Sequence, residues 1–366
     1  MIIKKIKLEN FRNIEYAELE FSKDVNVIYG ENAQGKTNLL EALYFCCATK
    51  SFRVNKSREL ISFDKKNACV LVEIDDGNKD ISIKIEIHKS GAKIISKNGI
   101  KIERLSEVLG ALKVVLFCPE HLSLIKDGPK ERRNFIDMAI CQIKPRFIGI
   151  LNEYIKINNQ RVALLRNIKE KNADKSYIDI YDEKLSSAAA KIYFERISYI
   201  DKLSRYSKMH FDSISKGRDE LSLKYSSVMD TAQNEDEAVF IMKKALRDSF
   251  LTDIKYGLTT KGVHTDDLII YVNGQNAKTT ASQGQQRSAV LSMKLSEGEI
   301  SKEYSGNFPV FLFDDVLSEL DVGRRKYLLT NLTDKQVFIT SCETAYFSKL
   351  LNKNKYFVKN GVFIKR

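Results

Sequence analysis

Alternating apolar and polar positions open the chain. Residues 2–9, 15–21 and 25–29 predict three strands, with the alternation clearest in "IIKKIKL" and "AELEF". Beyond a glycine-containing loop, Leu39, Leu40, Leu43, Tyr44 and Cys47 fall at helical spacing and predict a helix with one buried face. Residues 68–103 alternate again through "ACVLVEID", "DISIKIEIH" and "KIISKNGIKI". Asn98-Gly99 suits a tight hairpin turn, because both central positions need positive φ.

The texture changes after "KDGPKERRNF". Pro129 fits a first helical turn, where its missing N–H costs nothing. From there to about residue 217 the period is helical. Phe147, Leu151, Tyr154, Ile157, Leu164 and Ile168 form one stripe. After the polar break "KEKNADKS" at 169–176, Ile178, Tyr181, Leu185, Ala188, Ile192, Tyr199, Leu203 and Tyr206 form another. Two such helices should pack antiparallel as a stubby arm, since ~40 helical residues reach only ~60 Å. A short strand near 221–227 and a helix near 236–250 complete the arm. Residues 253–280 return to strand and turn, including Asn273-Gly274. A helix from about 284, the apolar run "FPVFLF", a further helix and the strand "QVFIT" follow. Strands and helices alternating at both ends predict one α/β head split in sequence, 1–125 and 253–366, with 126–252 as an inserted, mostly helical arm.

Charge narrows the partners. The 366 residues carry 60 Lys+Arg against 48 Asp+Glu, a net charge of +12. Such an excess favours nucleic acid or anionic lipid. Its carriers are dispersed, among them Lys130, Arg132, Arg133, Lys202, Arg205 and Lys208. No run approaches the ~18 apolar residues of a membrane span, and the first residues lack the apolar core of a secretory signal. The expectation is a cytoplasmic protein with no membrane partner. Six cysteines without a C-x-x-C pair argue against a zinc site or a disulfide framework.

The candidate chemistry begins at "GENAQGKT", residues 30–37. Gly30 and Gly35 let the backbone curl around Glu31, Asn32, Ala33 and Gln34 so that successive N–H groups point inward at an anion. Lys36 is placed for β- and γ-phosphates and Thr37 for Mg²⁺. An apolar strand precedes and a helix follows, the placement a phosphate loop requires. "PVFLFDD" at 309–315 is an apolar run ending in two carboxylates. Asp314 is placed to hold Mg²⁺ and Asp315 to polarise an attacking water. "SELD" at 318–321 fits a helix-capping box. "ASQGQQRS" at 281–288 sets Ser282, Gln283, Gly284 and Gln285 at a second helix start, a second phosphate reader.

In this order the elements resemble those of ABC-type ATPases. The blocks "LENFRNIEYAELEF", "YGENAQGKTNLLEALYF", "VVLFCPEHLSLIKDGPKERRNFID", "ASQGQQRSAVLSMKLSE" and "FLFDDVLSELDVGRRKYL" together resemble the RecF family of SMC-like ATPases nearly end to end. The resemblance implies an α/β, ABC-type/SMC-like P-loop ATPase head with an inserted helical arm. It also implies an ATP- and Mg²⁺-dependent homodimer that binds double-stranded and gapped DNA and hydrolyses ATP slowly. Such a protein acts with RecR and RecO in loading RecA at single-stranded gaps, in replication restart and in the SOS response. It implies that Ser282 closes over nucleotide held by the other copy, and that Arg12 and Asn13 approach the nucleotide. Glu120 lies where a glutamine loop is expected, without the glutamine. In "GVHTDD", Val263 and Thr265 replace the proline and arginine of the family's stretch. No histidine follows "QVFIT", so Thr340 or Ser341 would sense the γ-phosphate, and Arg324 and Arg325 read as solvated helix residues. A transporter ATPase subunit, a GTPase and a non-hydrolysing DNA clamp are the competing classes. Stimulation of phosphate release by DNA or by vesicles tests the transporter reading, the absence of an N-K-x-D motif weakens the GTPase, and ATP binding without phosphate release would mark the clamp.

Overall fold

The computed structural model describes residues 1–170, 174–342 and 353–366. Part of the polar break expected at 169–176 lies outside the described residues. The chain divides into two compact units. The first comprises 1–122, 213–217 and 287–366, and the second 123–212 and 218–286.

The first unit starts with the strands β1 (Ile2–Phe11), β2 (Ile14–Glu20) and β3 (Val25–Tyr29), then the helix α1 (Lys36–Ala48). Four strands follow, β4 (Asn67–Asp75), β5 (Asp80–His88), β6 (Lys93–Lys97) and β7 (Ile100–Lys101), and then β8 (Val114–Phe117). The order β2-β1-β4-β5-β6-β7 makes an antiparallel sheet. Its residues alternate in burial as the sequence alternates, for example in β4 and β5.

The second unit carries α2 (Ser123–Lys126), α3 (Pro129–Ile143), α4 (Phe147–Lys169) and most of α5 (Ile178–Ser215). β9 (Leu221–Ser226), α6 (Glu235–Tyr256), β10 (Asp267–Val272), β11 (Gln275–Asn276) and α7 (Ala277–Thr280) complete it. The 38 residues of α5 span about 57 Å at the usual helical rise. These units place 253–286 with the helices, whereas the hydrophobic pattern alone assigns 253–280 to the head. Two local facts explain the difference. Helix α6 runs on to Tyr256 and ends on left-handed Gly257, and β10 pairs antiparallel with β9 from Asp267–Ser226 to Val272–Leu221. A strand follows its hydrogen-bonding partner, which local periodicity does not name.

Helix α8 (Gln283–Ser305) leads into the remaining elements of the first unit. These are β12 (Val310–Phe313), α9 (Val316–Glu319), α10 (Val322–Thr330), β13 (Val337–Ser341), β14 (Lys353–Lys359) and β15 (Val362–Lys365). Their sheet has the order β15-β14-β3-β13-β12-β8, parallel except for β15. Its inner strands β12 and β13 and the end strand β8 are buried at every residue, as strands covered on both faces must be.

Helix α1 shares one core with both sheets of this unit. Leu39, Leu40, Ala42, Leu43, Phe45 and Cys46 lie in it at zero exposure beside Ile6 and Val70 of one sheet and Leu116 and Phe338 of the other. The expected single buried face is therefore a burial that goes almost all the way round, the condition of a helix with protein on most sides.

Candidate functional site at the carboxyl edge of the parallel sheet

Four neighbouring parallel strands end together. β3 ends at Tyr29 and gives way to Gly30–Gly35, β13 ends at Ser341 before Cys342, β12 ends at Phe313 before Asp314 and Asp315, and β8 ends at Phe117 before Glu120. The registers Ser341–Tyr29 and Phe313–Phe117, with Asp314 N–H bonded to Phe117 O at 2.9 Å, align these ends. In open parallel sheets this carboxyl edge is where ligands bind.

The loop is built by backbone that only glycine accepts easily. Gly30 has φ +155°, and a Cβ there would sit 2.4 Å from Val358 O. Gly35 has φ +115° and caps α1, and a Cβ would lie 2.9 Å from Asn13 Oδ1. Ala33 also has positive φ. The loop is braced from outside: Asn13 Nδ2 donates to Gln34 O at 3.2 Å, and Asn360 N–H to Gln34 Oε1 at 2.7 Å. Gly361 N–H donates to Gln34 O at 2.9 Å. The strands β14 and β15 were absent from the sequence reading, although Asn360-Gly361 between two apolar runs was a legible hairpin signal.

Lys36 is buried, and its ammonium donates to Gly30 O at 2.7 Å and Glu31 O at 2.8 Å. Cys342 Sγ lies 3.5 Å from the same ammonium and 2.9 Å from Asn32 Oδ1. Thr37 Oγ1 donates to Asp314 Oδ1 at 2.8 Å, which brings the two residues read as cation ligands together. Thr340 Oγ1 donates to that same oxygen at 2.7 Å and accepts the Asp315 N–H at 2.8 Å. Thr340 is thus a buried clasp on the acidic pair, and Cys342 is the residue of this strand end that borders Lys36. Burial pushes the Asp314 carboxyl above the usual carboxylate range, and the nearby Glu120 charge adds to this against the two hydroxyl donors. Asp315 has φ +51°, an unfavourable setting for a residue with a side chain. Its half-buried carboxylate takes no hydrogen bond among the described residues.

Arg12 also has positive φ, at +55°. Its guanidinium forks onto fully buried Glu41 at 2.9 and 2.7 Å and donates to Glu59 O at 3.0 Å, so it holds α1. The second candidate phosphate reader lies in the other unit. Ser282 precedes α8 and accepts the Gln285 N–H at 3.2 Å, while Gln285 Oε1 accepts the Ser282 N–H at 2.9 Å. A reciprocal capping box, the pattern expected at 318–321, thus forms at 282–285 instead. At that stretch Asp321 caps α10 by accepting the Arg324 N–H, and Ser318 Oγ donates to Asp315 O. Ser282 and Gln283 are exposed, and Gly284 and Gln285 are half-buried.

Several expected surface cations are occupied. Arg132 forks onto Asp267 at 2.7 and 3.0 Å, Arg133 donates to Asp266 O at 2.6 Å, and Lys208 pairs with Glu220 at 2.6 Å. Lys130 is exposed. Arg324 and Arg325 are half-buried rather than solvated, bonded to Ser288 Oγ at 2.7 Å and Leu320 O at 2.9 Å. Among the described residues, no helix is long and apolar enough to cross a membrane.

A glycine-lined loop at the end of a parallel strand, its lysine, and a carboxylate pair just past the end of the next strand but one define an SMC-like P-loop nucleotide-binding head. The family model for the RecF/RecN/SMC N terminal domain matches residues 2–363. The DNA replication and repair protein RecF of Clostridium acetobutylicum is 40% identical over 363 residues, 99% of each chain. A solved structure of the recombination mediator protein RecF with ATP, in the RecFOR pathway, superposes with TM-score 0.92 at 36% identity. It covers 100% of this chain and 97% of its own. An Smc head bound to the C-winged helix domain of ScpA shares the fold at TM-score 0.59 and 16% identity. The chain belongs to the RecF family, whose curated members are DNA replication and repair proteins.

Proposed function

We propose that this chain is an ATP-switched DNA-binding protein of recombinational repair and replication restart. The observation that carries the reading is the meeting of Lys36, Thr37, Asp314 and Asp315 at one sheet edge in a chain whose ATP-bound relative is alike over its whole length. On binding, Lys36 exchanges the Gly30 and Glu31 carbonyls for β- and γ-phosphate oxygens. The donor set fits Mg²⁺: a buried carboxylate beside a threonine hydroxyl offers hard oxygens and a charge that a cation would relieve. Mg²⁺ held by Thr37 and Asp314 would neutralise phosphate charge. Asp315 keeps a free acceptor for a water.

Ser282 of a second copy completes the site, so ATP drives homodimerisation and slow hydrolysis releases it. DNA that prefers the closed dimer must then tighten ATP by the same factor. RecR and RecO are the protein partners, RecA loading at gaps and the SOS response are the outcome, and the setting is the cytoplasm. Light scattering tests the switch. Asp315→Asn should keep ATP binding and accumulate dimers with ATP, while ADP leaves monomers. ATP-independent monomers in both wild type and variant would sink it. DNA binding with ATP, ADP or no nucleotide at two salt concentrations checks the second half, because phosphate contacts make affinity fall steeply with salt.

A further inference from the structure

A cavity lies in the first unit, at the other end of the parallel sheet from the phosphate loop. Its volume is about 590 Å³, within the range of small-molecule sites. Lys113, on its wall, immediately precedes β8, so the four residues of that strand, ~13 Å, separate it from the Glu120 edge. The cavity is therefore distinct from the phosphate loop.

Its lining sets three lysines against two carboxylates. Lys79, Lys97 and Lys113 line it, and among the described residues none of the three ammonium groups forms an ion pair. Lys97 reaches only the Glu107 carbonyl, at 3.4 Å. Burial holds the Lys113 ammonium below the usual lysine range, with Asp76 compensating only in part. Asp76 and Glu107 are the opposing carboxylates, and Asp76 already accepts the N–H groups of Asn78 and Lys79, both at 2.9 Å. The Lys302 ammonium sits 4.2 Å from the centroid of the lining Phe308 ring and adds a further positive charge nearby.

Three ammonium groups around one cavity, none of them in an ion pair among the described residues and one partly stripped of water, suit a multiply charged oxyanion; lysine serves phosphate as a point charge. We infer that this cavity is a second anion site, which takes a small phosphate-bearing molecule at the sheet edge opposite the ATP loop.

Titration calorimetry with inorganic tripolyphosphate tests this in the full chain carrying Lys36→Ala, which weakens the first site. One binding event should remain. Adding Lys97→Glu and Lys113→Glu together should weaken it by about tenfold or more. Glu107→Gln in the same background should tighten it, a gain that misfolding does not produce. Absence of binding in Lys36→Ala, or binding that neither the charge reversal nor Glu107→Gln alters, would overturn the inference.

Discussion

The carboxyl edge of the first unit and the interior of the second use the same side chains in opposite ways. At the edge, Lys36 is held by two carbonyls that it can exchange for phosphate, and Asp315 keeps an unused carboxylate on strained backbone. In the second unit the charges are closed upon each other. Arg161, fully buried, binds Asp182 at 2.6 Å, Asp253 at 2.7 Å and Thr259 at 3.1 Å. Arg196 forks onto Asp137 at 2.8 Å on both arms and donates to Val263 O and the Tyr225 hydroxyl. The lesson concerns spare capacity. Polar groups with partners that a ligand can replace make a site, whereas groups locked to other buried charges hold a fold.

The largest expected effect breaks the closed side. Arg161→Ala strands Asp182 and Asp253 without their cation and should cost about 3–5 kcal/mol in urea unfolding. If the loss stays under about 1 kcal/mol, the network does not hold that unit.

At the open side the order of effects reverses. Lys36→Ala should weaken ATP by about 1.5–3 kcal/mol, or ~10- to 150-fold. Unfolding of the free protein should shift by less than about 1 kcal/mol, because only two exchangeable bonds to carbonyls are lost. Equilibrium dialysis and urea melts measure the two sides. A stability loss larger than the affinity loss would make Lys36 structural.

A third effect concerns pH. Burial pushes Asp266 up to about 6 from 3.8, against the Tyr225 hydroxyl and Arg196. Because its folded value is raised, the folded chain holds a proton that the unfolded chain has lost between those values. Its contribution to stability is complete below 3.8 and falls away as pH rises through about 6. Asp266→Asn should flatten that fall in urea midpoints measured across the window. An unchanged slope would remove Asp266 as its source.

The "GVHTDD" stretch belongs to this closed region. Val263 is buried, with its carbonyl on Arg196 at 2.7 Å, and Thr265 Oγ1 donates to Gly262 O at 2.7 Å. His264 meets the Tyr154 hydroxyl at 2.6 Å. The substitutions relative to the family pattern thus fall among residues that face inward or bond locally.

Much was legible locally. Strand alternation in 2–9 and 68–88, the turns at Asn98-Gly99 and Asn273-Gly274, and the loop at 30–37 all depend on neighbours a few residues apart, and each fell close to its expected place. Pattern misled where two readings share one local signal. Ser318 and Ser282 both begin a capping pattern in the sequence, and only Ser282, at the start of a long helix, makes the reciprocal bonds. The cysteine beside Lys36 carried no signal at all.

By itself, the order of residues determined the phosphate loop, the acidic pair and the basic balance, because glycine spacing, apolar runs and charge are properties of short segments. Tertiary structure alone decided that Thr37 meets Asp314 across 277 residues, that Cys342 borders Lys36 across 306, and that the strand at 267–272 joins the strand at 221–226. The physical reason is the order of strands in a sheet. Hydrogen bonding between edges brings distant ends together, and no periodicity along the chain records which edges will pair.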